Sequence, residues 1–309
     1  MQEITLEELL EAGCHFGHQV TRSNPKARDY IFEARDNIHI IDLVKTKEGL
    51  ENAAKFVKEL AAKNGSLIVL GTKRQAQDVV EEEVKRAKQQ VSSKADNKIY
   101  HVSQRWVGGT LTNFSEVSKN FKKLKDLTER LVSEEEKAKY TKKEIGLWQK
   151  EKQKLKSLYG GISDMQVVPD AVFIVDSHLE RLAVDEARRM NATTVAITDT
   201  NADPLVIDYP IPANDDATGS VKLIVKHIID AWIEGRQEGI KQEEKKAKKE
   251  EDAKSKEADK SKPTEASQKE KTGEIKKINL VLSEAPVEKK VKKPAGKVSK
   301  AVKKGRITK

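Results

Sequence analysis

A doubly wound α/β fold of three layers is the architecture this sequence predicts, on three observations. Short β-branched runs alternate with amphipathic segments from about residue 38 to residue 234. Each run is almost continuously apolar, the mark of strands buried on both faces of a parallel sheet. The segments between them are long enough to be crossover helices. In chain order the strand candidates are Ile38–Leu43, Ser66–Gly71, Ile99–Val102, Asp170–Asp176 and Thr194–Asp199. The helical patterns are Lys45–Lys63, Lys73–Lys88, His178–Met190 and Ala217–Glu234. A sixth extended piece, Val206–Pro212, carries two prolines and reads as an edge strand or a loop, because proline cannot donate to an inner ladder.

Residues 113–160 break the alternation and read as two helices with no strand. Phe114, Val117, Phe121, Leu124 and Leu131 follow three- and four-residue spacing, with Leu127 beside the stripe. Ile145, Trp148, Leu155 and Leu158 repeat that spacing in the second helix. Thr141 and Glu144 form a capping box at its start, and Gly160-Gly161 stops it. Stripes this narrow predict a coiled-coil hairpin inserted into the α/β body, which would comprise residues 1–112 and 161–238. Its outer faces carry 13 basic residues against 8 acidic over 115–160, a tilt towards an anionic partner.

The formal net charge of +9 is unevenly placed. From Lys241 to Lys309 there are 23 basic and 12 acidic residues, which leaves 36 basic and 38 acidic in 1–240. Any contact of the body with RNA must therefore come from local patches. From residue 239 the composition shifts to Lys, Glu, Ala, Ser and Thr, which predicts a disordered tail with a transiently helical stretch at 240–260. From Lys289 onward there are 10 basic residues and no acidic one, a run suited to salt-sensitive contact with phosphate backbones. Cys14 is the single cysteine, so neither an internal disulfide nor a cysteine-based zinc cluster is expected. No apolar stretch approaches the roughly 20 residues of a membrane span, and the opening residues lack the pattern of a secretory signal. The expected compartment is the cytoplasm.

Enzyme motifs are sparse. The Gly71-Thr72-Lys73-Arg74 turn follows a buried strand and opens a helix, where a phosphate sits in nucleotide-binding α/β proteins. The chain has no GxxxxGK[ST] and no GxGxxG after a strand, so Lys73 and Arg74 read better as contacts for RNA phosphates or as a cover for the helix end. His18, with His15, lies near the N-terminus, and Asp199 and Asp215 (or Asp216) could join it at the carboxyl edge of the sheet. A histidine with two carboxylates can hold structural zinc or magnesium; the alternative is a cluster of hydrogen-bonded polar residues. Arg22, Asn24, Lys26 and Arg35 belong to a basic, turn-prone stretch. Arg105 and Trp106 stand directly before a Gly108-Gly109 turn, and an arginine beside an indole can clamp a phosphate and stack on a base. The alternative for Trp106 is a core anchor that packs the hairpin onto the sheet.

The stretches LLEAGCHFGHQVTRSNPKARDYIFEARDNIHIIDLVKT, LIVLGTKRQAQ, RWVGGTLTNF, YGGISDMQVVPDAVFIVD, AITDTNADP and IPANDDA occur here in that order. Together they closely resemble the family of bacterial-type small-ribosomal-subunit protein two, over about residues 3 to 236. The resemblance implies a flavodoxin-like α/β domain with an inserted coiled-coil hairpin and no enzymatic activity. It implies binding to small-subunit (16S-type) ribosomal RNA near the junction of head and body, beside neighbouring ribosomal proteins including, where an organism has it, small-subunit protein one. No required cofactor, membrane contact or homo-oligomer is expected. Carried over by position, the RNA-facing candidates are Arg22, Asn24, Lys26, Arg35, Lys73, Arg74, Arg105 and the hairpin residues Lys119, Lys122 and Lys123, while His18 and Asp199 also match family positions. Ser23 stands where the family often has a large aromatic side chain. Two rival classes are a cytosolic nucleotide-binding enzyme using the Gly71–Arg74 turn and a non-ribosomal RNA adaptor.

Overall fold

The computed structural model describes residues 4–91 and 98–260. Helix α1 (Leu6–Glu11) opens on a capping box between Thr5 and Glu8. It leads into a small antiparallel sheet of β1 (Phe16–Gln19), β2 (Ile31–Arg35) and β3 (Ile38–Ile41), in the order β1-β3-β2. Between β1 and β2 the chain makes two 3₁₀ turns, Val20–Arg22 and Pro25–Tyr30, the second capped by the Asn24 side chain. Asp36 and Asn37 join β2 to β3 with φ of 49° and 63°, the two positive values that a two-residue hairpin loop needs.

This corrects one expectation. The run Ile38–Leu43 is not the first strand of the parallel sheet: it gives β3 of the separate antiparallel sheet, while Leu43 starts the next helix. The physical reason is local. A two-residue turn can only return the chain antiparallel, and Asp42 then caps helix α2 (Leu43–Ala62) through the backbone N–H of Val44.

Five strands form the main sheet: β4 (Leu67–Leu70), β5 (Ile99–Val102), β6 (Ala171–Ile174), β7 (Thr193–Thr198) and β8 (Tyr209–Pro212). All pair in parallel, in the order β5-β4-β6-β7-β8. Counted from β4, this is the 2-1-3-4-5 winding of flavodoxin-like folds, with its switch point between β4 and β6. Alternate side chains divide the core in two. Leu67, Val69, Phe173, Val195 and Ile197 face α2, α3 (Arg74–Gln90) and the start of α8 (Thr218–Lys260). Ile68, Leu70, Val172, Ile174 and Ala196 face α7 (Arg181–Arg189), Trp106 and the root of the insertion.

The proline-bearing strand β8 is an edge, as its composition predicts, and α2 covers it. A Cβ on Gly49 would lie 2.6 Å from the carbonyl oxygen of Pro210, and the Thr46 hydroxyl donates to the carbonyl of Pro212. The covered edge cannot recruit a further strand.

In the insertion, α4 (Phe114–Val132) and α6 (Lys142–Tyr159) run antiparallel, with a short α5 (Glu134–Ala138) between them that the apolar spacing does not foretell. Phe121 packs edge-on to Tyr159 near the root, while Arg130 sits over Trp148 further out. The Thr141–Glu144 capping box is present. Leu127 is buried with Val117, Phe121 and Leu124, whereas Leu131 is only half-buried, so Leu127 belongs to the stripe itself. Helix α8 runs through the boundary expected at Glu238. Gly239 is buried, its absent side chain leaving room for the carbonyl of Ala62, and Arg236 pairs with Glu243 at 3.5 Å. The tail expected beyond residue 260 lies outside the described residues.

Candidate functional site

Four loops leave the carboxyl ends of the parallel strands and converge at the switch point, and one ammonium ties three of them together. Lys73, in the turn after β4, lies 2.8 Å from Asp176, which follows β6, and 2.8 and 2.9 Å from Asp215 and Asp216, which follow β8. Asp176 accepts from the backbone N–H groups of His178 and Leu179 with its other oxygen. Burial works against the charge on Lys73, but the facing carboxylates overcome it and raise its pKa. A phosphate at the Gly71–Arg74 turn would therefore meet carboxylates, and its natural cation is already engaged. The geometry removes the site on which a nucleotide-binding enzyme would depend.

His18 of β1 extends the cluster. Its Nδ1 is 3.1 Å from Asp199, which follows β7, and its Nε2 is 3.2 Å from the Asn201 amide and 3.5 Å from Asp216. The hydrogen bond to Asp199 raises the pKa of His18 against the opposing effect of burial. Asp215 is 1% exposed; burial, then Asp176 and Asp199, push its carboxyl up to about 7. One donor atom each from His18, Asp199 and Asp215 lies within 4.8 Å of the others, so the structure brings together the three residues singled out in the sequence. Asp215 Oδ2 is buried without a donor among the described residues. Four carboxylates against one lysine and one histidine leave room for a cation and none for an anion.

The Arg105–Asn113 loop is held by a residue the sequence does not reveal. Glu186 of α7 is 3% exposed and accepts from the indole N–H of Trp106 at 3.3 Å. The same carboxylate accepts the backbone N–H groups of Gly109 (2.7 Å), Leu111 (3.0 Å) and Thr112 (3.3 Å). Trp106 is itself 5% exposed, so it anchors the loop and does not offer a ring face for stacking; Arg105 beside it is exposed.

The family model described as Ribosomal protein S2 matches residues 9–235, nearly three-quarters of the chain. The chain belongs to the ribosomal protein S2 family. Members of that family are structural proteins of the small ribosomal subunit and not enzymes, so association with ribosomal RNA and other ribosomal proteins comes with membership. Among the described residues no helix is long and apolar enough to cross a membrane.

For a ribosomal protein S2 family member the exposed cations matter most, and the nominated residues separate into groups. Arg22, Arg35, Arg74, Arg105 and Lys122 are exposed. Lys26 is exposed but pairs with Asp203 at 2.6 Å, Lys119 pairs with Glu116 at 2.7 Å, and Lys123 pairs with Glu151 across the hairpin. Asn24 spends its side-chain oxygen on the Lys26 N–H, while its own N–H donates to Thr200 at 2.7 Å, so it positions the basic loop against the sheet edge. Lys73 is committed to its carboxylates. No local signal in the sequence could have shown this, because Asp176, Asp215 and Asp216 lie more than 100 residues away.

Proposed function

We propose that this chain binds small-subunit ribosomal RNA near the junction of head and body and helps dock neighbouring ribosomal proteins, small-subunit protein one among them where it is present. The observation that carries the reading is the family match, seated on a body whose exposed arginines, Arg22, Arg35, Arg74 and Arg105, stand at element ends and in the loop before the hairpin. Such side chains position the protein on phosphates, while shape complementarity supplies the fit. The α4–α6 hairpin acts as a coiled-coil arm, with Lys119, Lys122 and Lys123 on the side that meets RNA. The lysine-rich tail adds unspecific affinity for phosphate backbones. The domain plan is a discontinuous body, 1–112 and 161 onward into α8 past the boundary expected at 238, with the hairpin 113–160 as an appendage.

His18, Asp199 and Asp215 form a donor set that fits a divalent cation, zinc or magnesium, with Asp216 within reach as a fourth oxygen. The orphaned oxygen of Asp215 and the surplus negative charge favour this over a merely hydrogen-bonded cluster. The ion would tie the N-terminal sheet to the loops after β7 and β8. Metal content measured on the purified chain and on its His18→Ala variant tests this part.

The RNA reading is tested by binding of the full chain to a small-subunit ribosomal RNA transcript. Arg74→Ala and Arg105→Ala together should weaken binding at least tenfold at moderate salt. Binding that is unaffected, or equal for unrelated RNA, counts against these residues as contacts.

A further inference from the structure

Helix α7 lies between two loops that the sequence nominates for RNA and is not itself nominated. On one side Glu186 holds the Arg105–Asn113 loop, and a Cβ on Gly108 would stand 3.3 Å from Leu182. On the other, a cavity of about 280 Å³ opens between the start of α7 and the loops after β6 and β7. Asn24, His178, Arg181, Arg188, Asn201 and Asp203 line it. It sits beside the carboxyl ends of β6 and β7, one strand away from the switch point.

The wall of this cavity sets two arginines beside Asp185 and Asp203, whereas carboxylates are in surplus in the cluster next to it. Arg181 and Arg188 are seven residues apart, so they project from one face about 10 Å along the helix. Both are exposed, and among the described residues neither guanidinium makes an ion pair, although Asp185 lies between them in the helix. Asp203, the other acid in the wall, pairs with Lys26 at 2.6 Å and also feels the charge of Arg181 without a direct ion pair to it. Asn201 donates its amide to His18. The cavity thus offers two exposed guanidiniums outside direct ion pairs for anionic oxygens. Phosphates of an RNA backbone supply that complement.

We infer that this cavity seats one nucleotide of ribosomal RNA, with its flanking phosphates on Arg181 and Arg188. The assignment rests on the RNA-binding reading above. It makes α7 the middle of a continuous interface from Asn24 and Lys26 across to Arg105, in which Glu186 faces inward and the two arginines face the RNA.

The test is a salt titration of the full chain on a small-subunit ribosomal RNA transcript, comparing wild type with the Arg181→Gln/Arg188→Gln double variant. Both side chains are exposed, so the fold should tolerate the change. Arg189→Gln is the control: exposed on the same helix but outside the cavity wall. The double variant should bind about tenfold more weakly at physiological salt. Its plot of log affinity against log salt should be shallower by about 1.4 to 1.8, the loss of two phosphate contacts. Arg189→Gln should do much less. An unchanged slope and affinity in the double variant overturns the assignment, as does an equal loss in Arg189→Gln. A wild-type chain that does not bind the transcript defeats the RNA-binding reading itself, and the cavity assignment with it.

Discussion

The Glu186 carboxylate receives the Trp106 indole N–H at 3.3 Å and, through the same two oxygens, three backbone N–H groups of the loop that begins the hairpin. One buried side chain of α7 therefore sets both the indole and the path of the chain into α4. Glu186→Ala leaves several buried donors unmet and should lower stability by about 3 kcal/mol in urea unfolding. Glu186→Gln keeps the shape but turns a donor towards other donors, and should lose about 2 kcal/mol. Losses below about 0.5 kcal/mol in both variants, the level of an ordinary surface change, would show that the loop orders itself without this carboxylate.

Adjacent residues Lys73 and Arg74 should behave differently. Lys73 contacts Asp176, Asp215 and Asp216, and its side chain is 17% exposed. Lys73→Ala leaves those carboxylates facing one another and should lower stability by about 3 kcal/mol. Arg74 is exposed, so Arg74→Ala should stay within about 0.5 kcal/mol of wild type while weakening RNA binding. Thermal or chemical unfolding of both variants beside an RNA-binding assay separates the two roles; a stable Lys73→Ala variant with lost RNA binding would reverse the assignment.

The acidic cluster gives the fold a pH dependence of definite sign. Asp215 titrates near 7 in the folded chain against an ordinary value of 3.8. Between those values the folded state holds a proton that the unfolded state has released, so stability falls as pH rises through that window. His18, whose pKa is raised by Asp199, acts in the same direction: its contribution is complete below about 6.5 and is lost as pH passes its raised value. Asp215→Asn removes the first effect. Measured without added metal, its stability relative to wild type should improve between pH 5 and pH 8 by about 1–2 kcal/mol. A difference between variant and wild type that does not change with pH contradicts this.

Much of the fold is legible from residue order alone, and the exceptions have physical causes. The inner strands β4, β6 and β7 stand out because strands buried on both faces are nearly continuously apolar. The run at Ile38 is apolar for another reason: it is the middle strand of a small antiparallel sheet whose outer strands, Phe16–Gln19 and Ile31–Arg35, are short and largely exposed. His18, Asp199 and Asp215 are legible through the family motifs they sit in. Glu186 and the Arg181–Arg188 pair are not, since a lone acid or arginine in an amphipathic helix looks like a solvated face until its neighbours across the fold are known.

Two glycines, one within the insertion and one at its root, should respond oppositely to alanine. A Cβ on Gly161 would fall 2.1 Å from the backbone oxygen of His101, so Gly161→Ala forces the hairpin root away from β5 and should lower stability by at least about 2 kcal/mol. Gly146 lies mid-helix in α6, and a Cβ there would meet nothing within 4 Å, so Gly146→Ala should gain about 0.5–1 kcal/mol from helix propensity. Calorimetry on the full chain reads both; a neutral Gly161→Ala would mean that the root has slack.

The most direct measurement is sedimentation of cell lysate through sucrose gradients over a salt series, with this chain followed in every fraction. A structural protein of the small subunit should travel with the small subunits and stay with them at moderate salt. A chain that remains at the top of the gradient at every salt concentration contradicts a structural role in the ribosome.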